Sequence, residues 1–447
     1  MTTLESMGSA SVDIRDKSRD LLQTAIGLGL DAAEIDVSLE SGYSVSVRLG
    51  QLDVFEQKSE QSLTLTVYQC QSTASVSTTD LSMGSLNRLL DKAKSLVSCT
   101  QEDPCSGLAD RNLLAFDYPD LDLYYPWKLS IQDAVELAVR MDDRASRSDS
   151  RIVACNSCDI STSNFSCLYA NTDGFFGHYP YSVHHLGCSV LAQDDTGKQQ
   201  YGDYDIHCMP EELCDAEKLA VTVAKETCRM LSPRKVATQQ CPVLFAAPVA
   251  KGLLSCFFSA INGHNIYRDA SFLCGELGQK VFPDFISIVQ RPHVKRVLHS
   301  APFDDEGVRT QDLDIVEKGY FNHYICDSYS GRKLGFKSTG NAGGLHNVIV
   351  SSSKLSLADL VKKMHRGLFV TELMGQGINL LTGDYSRGAS GFWVENGEIQ
   401  FPVSEVTIAG NLREMFANVV DIACDVDFRG NVKSGSILVE NMMLGGE

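Results

Sequence analysis

Apolar positions along the chain alternate between two periods, and the changes of period mark its elements. Val12, Ile14, Leu21, Leu22, Ala25 and Ile26 recur at helical spacing, and Gly27 and Gly29 end the pattern. The period then drops to two. Residues 33–39, 43–49, 52–56 and 62–70 alternate apolar and polar, with Gly42 and Gly50 read as turn residues. Such alternation predicts strands of an antiparallel sheet with one buried face. A helix is predicted over 85–97, completing a first α+β section at residues 1–100.

The joint at 99–120 is rich in turn formers, including Asp103-Pro104, Ser106-Gly107 and Tyr118-Pro119. A helix follows over 130–147, with Ser130 as N-cap and Asp133 three residues on, a variant of the capping box. Alternating runs return at 152–160, 162–170, 181–193 and 199–207, and a helix is predicted over 212–230. This second section, 120–232, repeats the grammar of the first, which suggests a pseudo-repeat without sequence identity. Pro233 opens a polar boundary, and the texture changes beyond it. Short strand-like runs at 242–246, 287–288, 348–351, 391–394, 398–402 and 436–439 alternate with Gly-rich turns, around helices at 249–261 and 356–364. The expected fold class is therefore α+β: two N-terminal α/β sections with antiparallel sheets, then a mostly β C-terminal domain at 238–447.

Charge narrows the partners. The 447 residues carry 57 acidic and 39 basic side chains, a formal net charge of -18. A field of that sign repels nucleic acid and anionic membranes. Residues 1–13 lack the basic and apolar regions of a secretion signal. No run approaches the roughly 18 apolar residues of a membrane span. The 15 cysteines are odd in number, and several, such as Cys188, sit in apolar strings. They read as reduced, buried thiols, and the expected location is the cytoplasm.

Candidate chemistry is thin. A zincin-type site needs two imidazoles on one helix face and a neighbouring Glu as base. None of the ten histidines is followed by Glu, and no two stand four or five residues apart. Cys155-Asn156-Ser157-Cys158 is a CxxC, but two residues three apart on a strand are expected on opposite faces. The pair His184-His185 lies in a strand pattern and reads as core or surface. Gly388-Ala389-Ser390-Gly391 lacks the nucleophile elbow, and Gly375-Gln376-Gly377 is too short for a dinucleotide loop.

Three segments combine glycine with polar side chains: Ser300 to Thr310, Gly331 to Gly344, and Thr371 to Asn411. The last contains Thr371-Glu372-Leu373-Met374-Gly375-Gln376-Gly377, then Gly383-Asp384-Tyr385-Ser386-Arg387-Gly388-Ala389, then Phe392-Trp393-Val394-Glu395-Asn396-Gly397. Such loops suit either tight turns or a groove for an extended peptide.

These segments resemble the hallmark stretches of the PmbA/TldE subunits of the TldD/TldE metalloprotease family. The resemblance implies a chain that pairs with a TldD-type subunit, and a heterodimer that degrades unfolded peptides in an enclosed channel. The implied substrates are the leader of a peptide-antibiotic precursor and an antitoxin. In a TldD-type chain a His-Glu-x-x-x-His helix and a later Cys hold zinc. Here the matching helix is 249–261: the first His would fall near Ser255 or Cys256, the Glu near Cys256 or Phe257, and the second His near Ala260 or Ile261. Cys256 could serve only as a lone thiolate, and the later Cys should lie in the tail after Asn418, where only Cys424 stands, in an apolar run. The expectation is a chain with no catalytic residue, no metal site and no cofactor of its own, zinc belonging to the partner. Met374, Gly375, Gln376, Asp384, Tyr385, Ser386 and Arg387 are the candidate peptide contacts. Arg387 would meet a carboxylate of substrate or partner or form a structural ion pair, and Asp304 and Arg309 are further candidates of that kind. Two alternatives stay open. One is a scattered hydrolytic site from Cys256, His264 and His346. The other is a peptide-binding maturation factor without hydrolysis. Alone, the chain is expected to pair with itself.

Overall fold

The structure, a computed structural model, describes residues 3–446, with side chains from Asp13 onward. Met1, Thr2 and Glu447, and the side chain of Val12 read above as part of the first apolar stripe, lie outside the described residues.

The N-terminal half runs α1 (Thr3–Gly27), β1 (Ala32–Arg48), β2 (Gln51–Gln69), β3 (Ser72–Thr78) and α2 (Met83–Val97). It continues with α3 (Ile131–Arg147), β4 (Ile152–Asn171), β5 (Phe176–Asp194), β6 (Gly197–His207) and α4 (Ala216–Arg229). Helix, three strands, helix thus occurs twice in the same order. The two sections are not separate sheets, however. Their strands form one antiparallel sheet of order β3-β2-β1-β4-β5-β6. Helices α1 and α2 cover one half, over a core that includes Leu21, Ile35, Leu65 and Leu90. Helices α3 and α4 cover the other, over Ala138, Met141, Ile160 and Val223. Ser130 caps α3 as expected, its Oγ accepting from Asp133 N at 3.1 Å.

The strands are longer than the alternation predicts. Residues 33–39 and 43–49 are one strand, β1, and Gly42 lies inside it rather than at a turn. A Cβ there would stand 2.0 Å from the carbonyl oxygen of Thr162, its neighbour across the β1–β4 pair. This glycine permits close approach of two backbones.

The C-terminal half comprises β7 (Gln239–Phe245), α5 (Ala247–Ala260), α6 (Gly263–Tyr267), β8 (Ile288–Gln290), β9 (Leu313–Glu317), β10 (Tyr320–Phe321), α7 (Ser328–Leu334) and β11 (Val348–Val350). It ends with α8 (Leu357–Met364), β12 (Gly367–Met374), β13 (Ile378–Asn379), β14 (Asp384–Glu395), β15 (Glu398–Asn411), α9 (Leu412–Ala417), β16 (Val419–Ile422), β17 (Val432–Lys433) and β18 (Ile437–Gly445). One sheet has the order β10-β9-β8-β11-β17. In the other, β12-β7-β18-β15-β14, strand β12 also pairs with β14, so the sheet closes on itself. Closure removes the unpaired edges that invite aggregation. Helix α5 buries Leu253, Leu254 and Phe257 in the largest core, and Phe257 makes edge contacts with Phe258, Phe282, Phe321 and Phe416. Full burial of one such ring stabilises the fold by roughly 1.5–3 kcal/mol. The α+β class expected from the sequence is the class found.

Candidate functional site

Helix α5 follows β7 directly, with Pro248 in its first turn, where a missing N–H costs nothing. Its start is fixed from both sides: Ala246 N donates to Val370 O at 2.9 Å, and Ala247 N to Ser436 Oγ at 3.0 Å. One face is apolar and buried. On the other, Ser255 and Ser259 are exposed, four residues apart on adjacent turns. The positions matched to the zinc imidazoles are Ser255 or Cys256 and, five residues on, Ala260 or Ile261. Phe257, Ala260 and Ile261 are fully buried, and none offers a ligand atom. Cys256 donates to Gly252 O at 3.3 Å, and burial pushes its thiol up to about 11 against the pull of Arg387. It is a neutral thiol at neutral pH, not a thiolate. The residues of α5 therefore do not fit a catalytic zinc, which takes three protein ligands and an open position. Cys424 is exposed, its N–H bound to Leu355 O.

Beside α5 lies a groove of about 590 Å³. One wall is the edge strand β6, through Gln200, Tyr201 and Gly202, and the other is formed by β12 and Arg387 of β14. The two halves of the molecule meet here, held by an ionic network. Arg429 pairs with Asp427 at 2.9 Å, reaches Asp203 of β6, and lies 4.7 Å over the ring of Tyr204. Lys251 of α5 joins the same Asp427 at 2.9 Å. Burial alone would raise the Asp427 carboxyl, but hydrogen bonds from Arg429 and Lys251 outweigh it and hold the group below its usual range.

Thr371 and Arg387 line the groove, and Tyr385 lies in the core beside Arg387. Register shifts between Val370 and Glu372, leaving Thr371 as the extra residue of a β-bulge. Thr371 Oγ1, Tyr385 Oη and Arg387 Nε are all buried without a hydrogen-bond partner. Tyr385 is 1% exposed, and burial keeps its hydroxyl protonated. Alternation along β14 puts Tyr385 and Arg387 on one face and the exposed Asp384 and Ser386 on the other. Met374, Gly375 and Gln376 are exposed at the turn after β12, where Gly375 has φ 78°. The candidate contacts named from sequence thus occupy two faces and a turn, and Arg387 is the one that lines the groove. The contributions of Thr371, Gly252 and the β6 edge were not read from the sequence: a bulge and a contact between domains leave no periodic signal.

The other candidates have local partners. Asp304, 2% exposed, accepts from the backbone N–H groups of Glu306, Val308 and Ala342. Arg309 pairs with Asp117. His264 binds Asp327 at 2.7 Å, while His346 lies beside His299 in a separate cavity of about 840 Å³ between the halves. Cys256, His264 and His346 share no partner. His184 is a core residue bonded to Thr162 Oγ1 and Tyr125 O.

The CxxC departs from expectation. A register shift between Cys155 and Ser157 turns both cysteines to the same face. Their Sγ atoms lie 3.4 Å apart, and Cys188, opposite Cys158 on β5, is 3.9 and 3.7 Å from them. Among the described residues this is the one group of three potential metal ligands within 4.8 Å of one another. It is sealed in the core under α3, with no open position for substrate, so it is no catalytic centre. None of the cysteines is bridged. Among the described residues no helix is long and apolar enough to cross a membrane.

Comparison with known proteins places the fold and groove in context. The family descriptions that match are PmbA/TldA metallopeptidase domain 1 over residues 33–97, its central domain over 124–231 and its C-terminal domain over 238–446. The metalloprotease PmbA of Escherichia coli O157:H7 is 41% identical over 439 residues, covering 97% of this chain and 98% of that one. The Haemophilus influenzae PmbA homolog is 42% identical, covering 93% and 92%. The crystal structure of TldE from Thermococcus kodakarensis superposes with a TM-score of 0.84 at 19% identity, over 96% of this chain and 100% of that one, a likeness of fold. Three matched domains and identity along almost the whole length lead to one conclusion: the chain belongs to the PmbA/TldA metallopeptidase family.

Proposed function

We propose that this chain is the non-catalytic subunit of a two-chain zinc peptidase acting on unfolded peptides in the cytoplasm. Helix α5 carries the reading. It presents Ser255 or Cys256, and Ala260 or Ile261, where the family's zinc helix needs imidazoles, and Cys256 or Phe257 where it needs a carboxylate base. A TldD-type partner supplies zinc and the attacking water. This chain supplies a wall of the peptide channel: the groove between α5, β12 and β6, in which an extended backbone lies beside an edge strand. Leaders of peptide-antibiotic precursors and antitoxins are the substrates this assignment implies. Met374, Gly375, Gln376, Asp384 and Ser386 form the exposed rim that meets peptide or partner, and Arg387 meets peptide inside the groove.

The test measures zinc content and cleavage of an unstructured peptide by the pure chain, with and without a TldD-type subunit. A metal-free, inert chain whose partner cleaves only in its presence supports the reading. One zinc per chain with unaided cleavage overturns it. In the absence of its partner the chain is expected to form a homodimer through the same surface, and a monomer by light scattering at micromolar concentration removes that part of the proposal.

A further inference from the structure

Arg387 has a positive charge with nothing to neutralise it. It makes no ion pair among the described residues, its Nε is buried without a hydrogen-bond partner, and its one polar side-chain neighbour is the uncharged Tyr385 hydroxyl. A guanidinium carries five N–H donors and stays charged at every physiological pH. Keeping it half-buried and unpartnered is costly, because burial removes water that nothing replaces. Thr371 Oγ1 shares this condition in the same groove, buried without a partner, and Tyr385 Oη lies in the core beside Arg387 with no hydrogen bond of good geometry. Tyr385 is 1% exposed, so no water shell compensates it. Nearby groups do not supply the missing anion. The Cys256 thiol is neutral, and Glu372, on the rim, makes no ion pair with Arg387 among the described residues.

We infer that Arg387 and Thr371 form a receptor for one carboxylate group of a bound peptide, with Tyr385 positioning the guanidinium from the core side. A planar guanidinium matches a carboxylate through two parallel N–H···O bonds, and the Thr371 hydroxyl can donate to a remaining lone pair. Gly252 opposite leaves room for the ligand: a Cβ there would already stand 3.6 Å from Arg387 Nη1. Two sources offer the same chemistry, the C-terminal carboxylate of a peptide or an internal Asp or Glu side chain. The inference rests on the peptide-groove reading and adds the chemical class of group that anchors the peptide.

The experiment measures binding of short unstructured Gly/Ser/Ala peptides to the complex of this chain with its TldD-type partner, zinc removed to prevent cleavage. Peptides with a free acid end, an amidated end, and an amidated end with one internal Glu or Gln are compared. The expected result is about tenfold or greater preference for a carboxylate-bearing peptide over its neutral counterpart. Arg387→Met abolishes the preference while leaving weak binding of the neutral peptide. Preference for the free acid end identifies the C-terminus as the source, and preference for internal Glu identifies a side chain. Tyr385→Phe and Thr371→Val, which preserve shape, reduce the preference several-fold and guard against a misfolded Arg387 variant. Peptide binding that ignores every carboxylate overturns the inference while the groove reading stands. No binding of any peptide overturns both.

Discussion

Arg387 Nη1 stands 3.6 Å from the point that a Cβ on Gly252 would occupy, so the helix that lacks zinc ligands yields its surface to a guanidinium. A methyl group fits at that distance. Gly252→Ala is expected to stabilise α5 by about 0.5–1 kcal/mol, since glycine is costly inside a helix. Thermal unfolding checks it. Gly252→Leu reaches into the groove and crowds Arg387. It is expected to lower peptide affinity of the complex about tenfold or more, with no loss of fold by circular dichroism. Equal peptide affinity for wild type and the Leu variant would show that substrate does not pass this point.

Gly42 and Thr162 show where the sequence misleads. The alternation on either side of Gly42 is legible, and so are the buried positions Ile35, Val37, Val45 and Val47. What cannot be read is whether a glycine between two alternating runs turns the chain or admits a neighbour. Here the β1–β4 register places Gly42 against Ser163, beside Thr162, and those residues are far apart in sequence. Gly42→Ala forces backbone displacement in a central pair and is expected to cost roughly 1–3 kcal/mol, as overpacking does. Denaturant unfolding midpoints measure it; an unchanged midpoint would place the glycine at a flexible turn after all.

The site was legible in part. Helix α5 and its missing histidines follow from letters and periodicity. The meeting of Thr371 and Arg387 in one groove depends on a bulge, as does the clustering of Cys155, Cys158 and Cys188. A period of two predicts opposite faces for residues three apart, and one extra residue in a strand reverses that prediction. The thiol cluster has a direct readout. Cys70, Cys99, Cys214 and Cys424 are exposed, whereas Cys155, Cys158 and Cys188 are 0–3% exposed. Iodoacetamide should label the first group in the native protein and the second only on unfolding, as followed by mass spectrometry. Rapid native labelling at Cys155 would mean that β4 opens locally.

The network of Lys251, Asp427 and Arg429 connects α5 to β6 through Asp203. Asp427 is 8% exposed in its side chain and is contacted by two cations. Asp427→Ala leaves Lys251 without its anion and Arg429 with Asp203 alone, and is expected to destabilise the protein by about 3 kcal/mol. The double variant Lys251→Met/Asp427→Leu should recover part of that loss. A single variant with wild-type stability would show that solvent compensates Lys251 and that Asp203 suffices for Arg429.

Acidic side chains at the junction between the halves give stability a dependence on pH of definite sign. Burial pushes Glu306 up to about 7, with Asp327 and Glu34 adding to it and hydrogen bonds from Ser328 opposing it. Asp36 is raised to about 6, by burial first and then by Asp305 and Glu34. A carboxyl whose native value lies above its unfolded value binds more protons when folded, so its ionisation favours unfolding. Its contribution is harmless below the unfolded value of 4.5 and becomes progressively unfavourable as pH rises to about 7. Glu306→Gln keeps an acceptor for Ser328 N, which now binds Glu306 Oε2 at 2.9 Å, and removes the charge. The variant should match wild type near pH 4 and exceed it by roughly 2–3 kcal/mol above pH 7. Urea unfolding at a series of pH values measures the difference directly. A gap that is constant with pH, or that closes as pH rises, would mean that Glu306 is solvated or paired in the native protein.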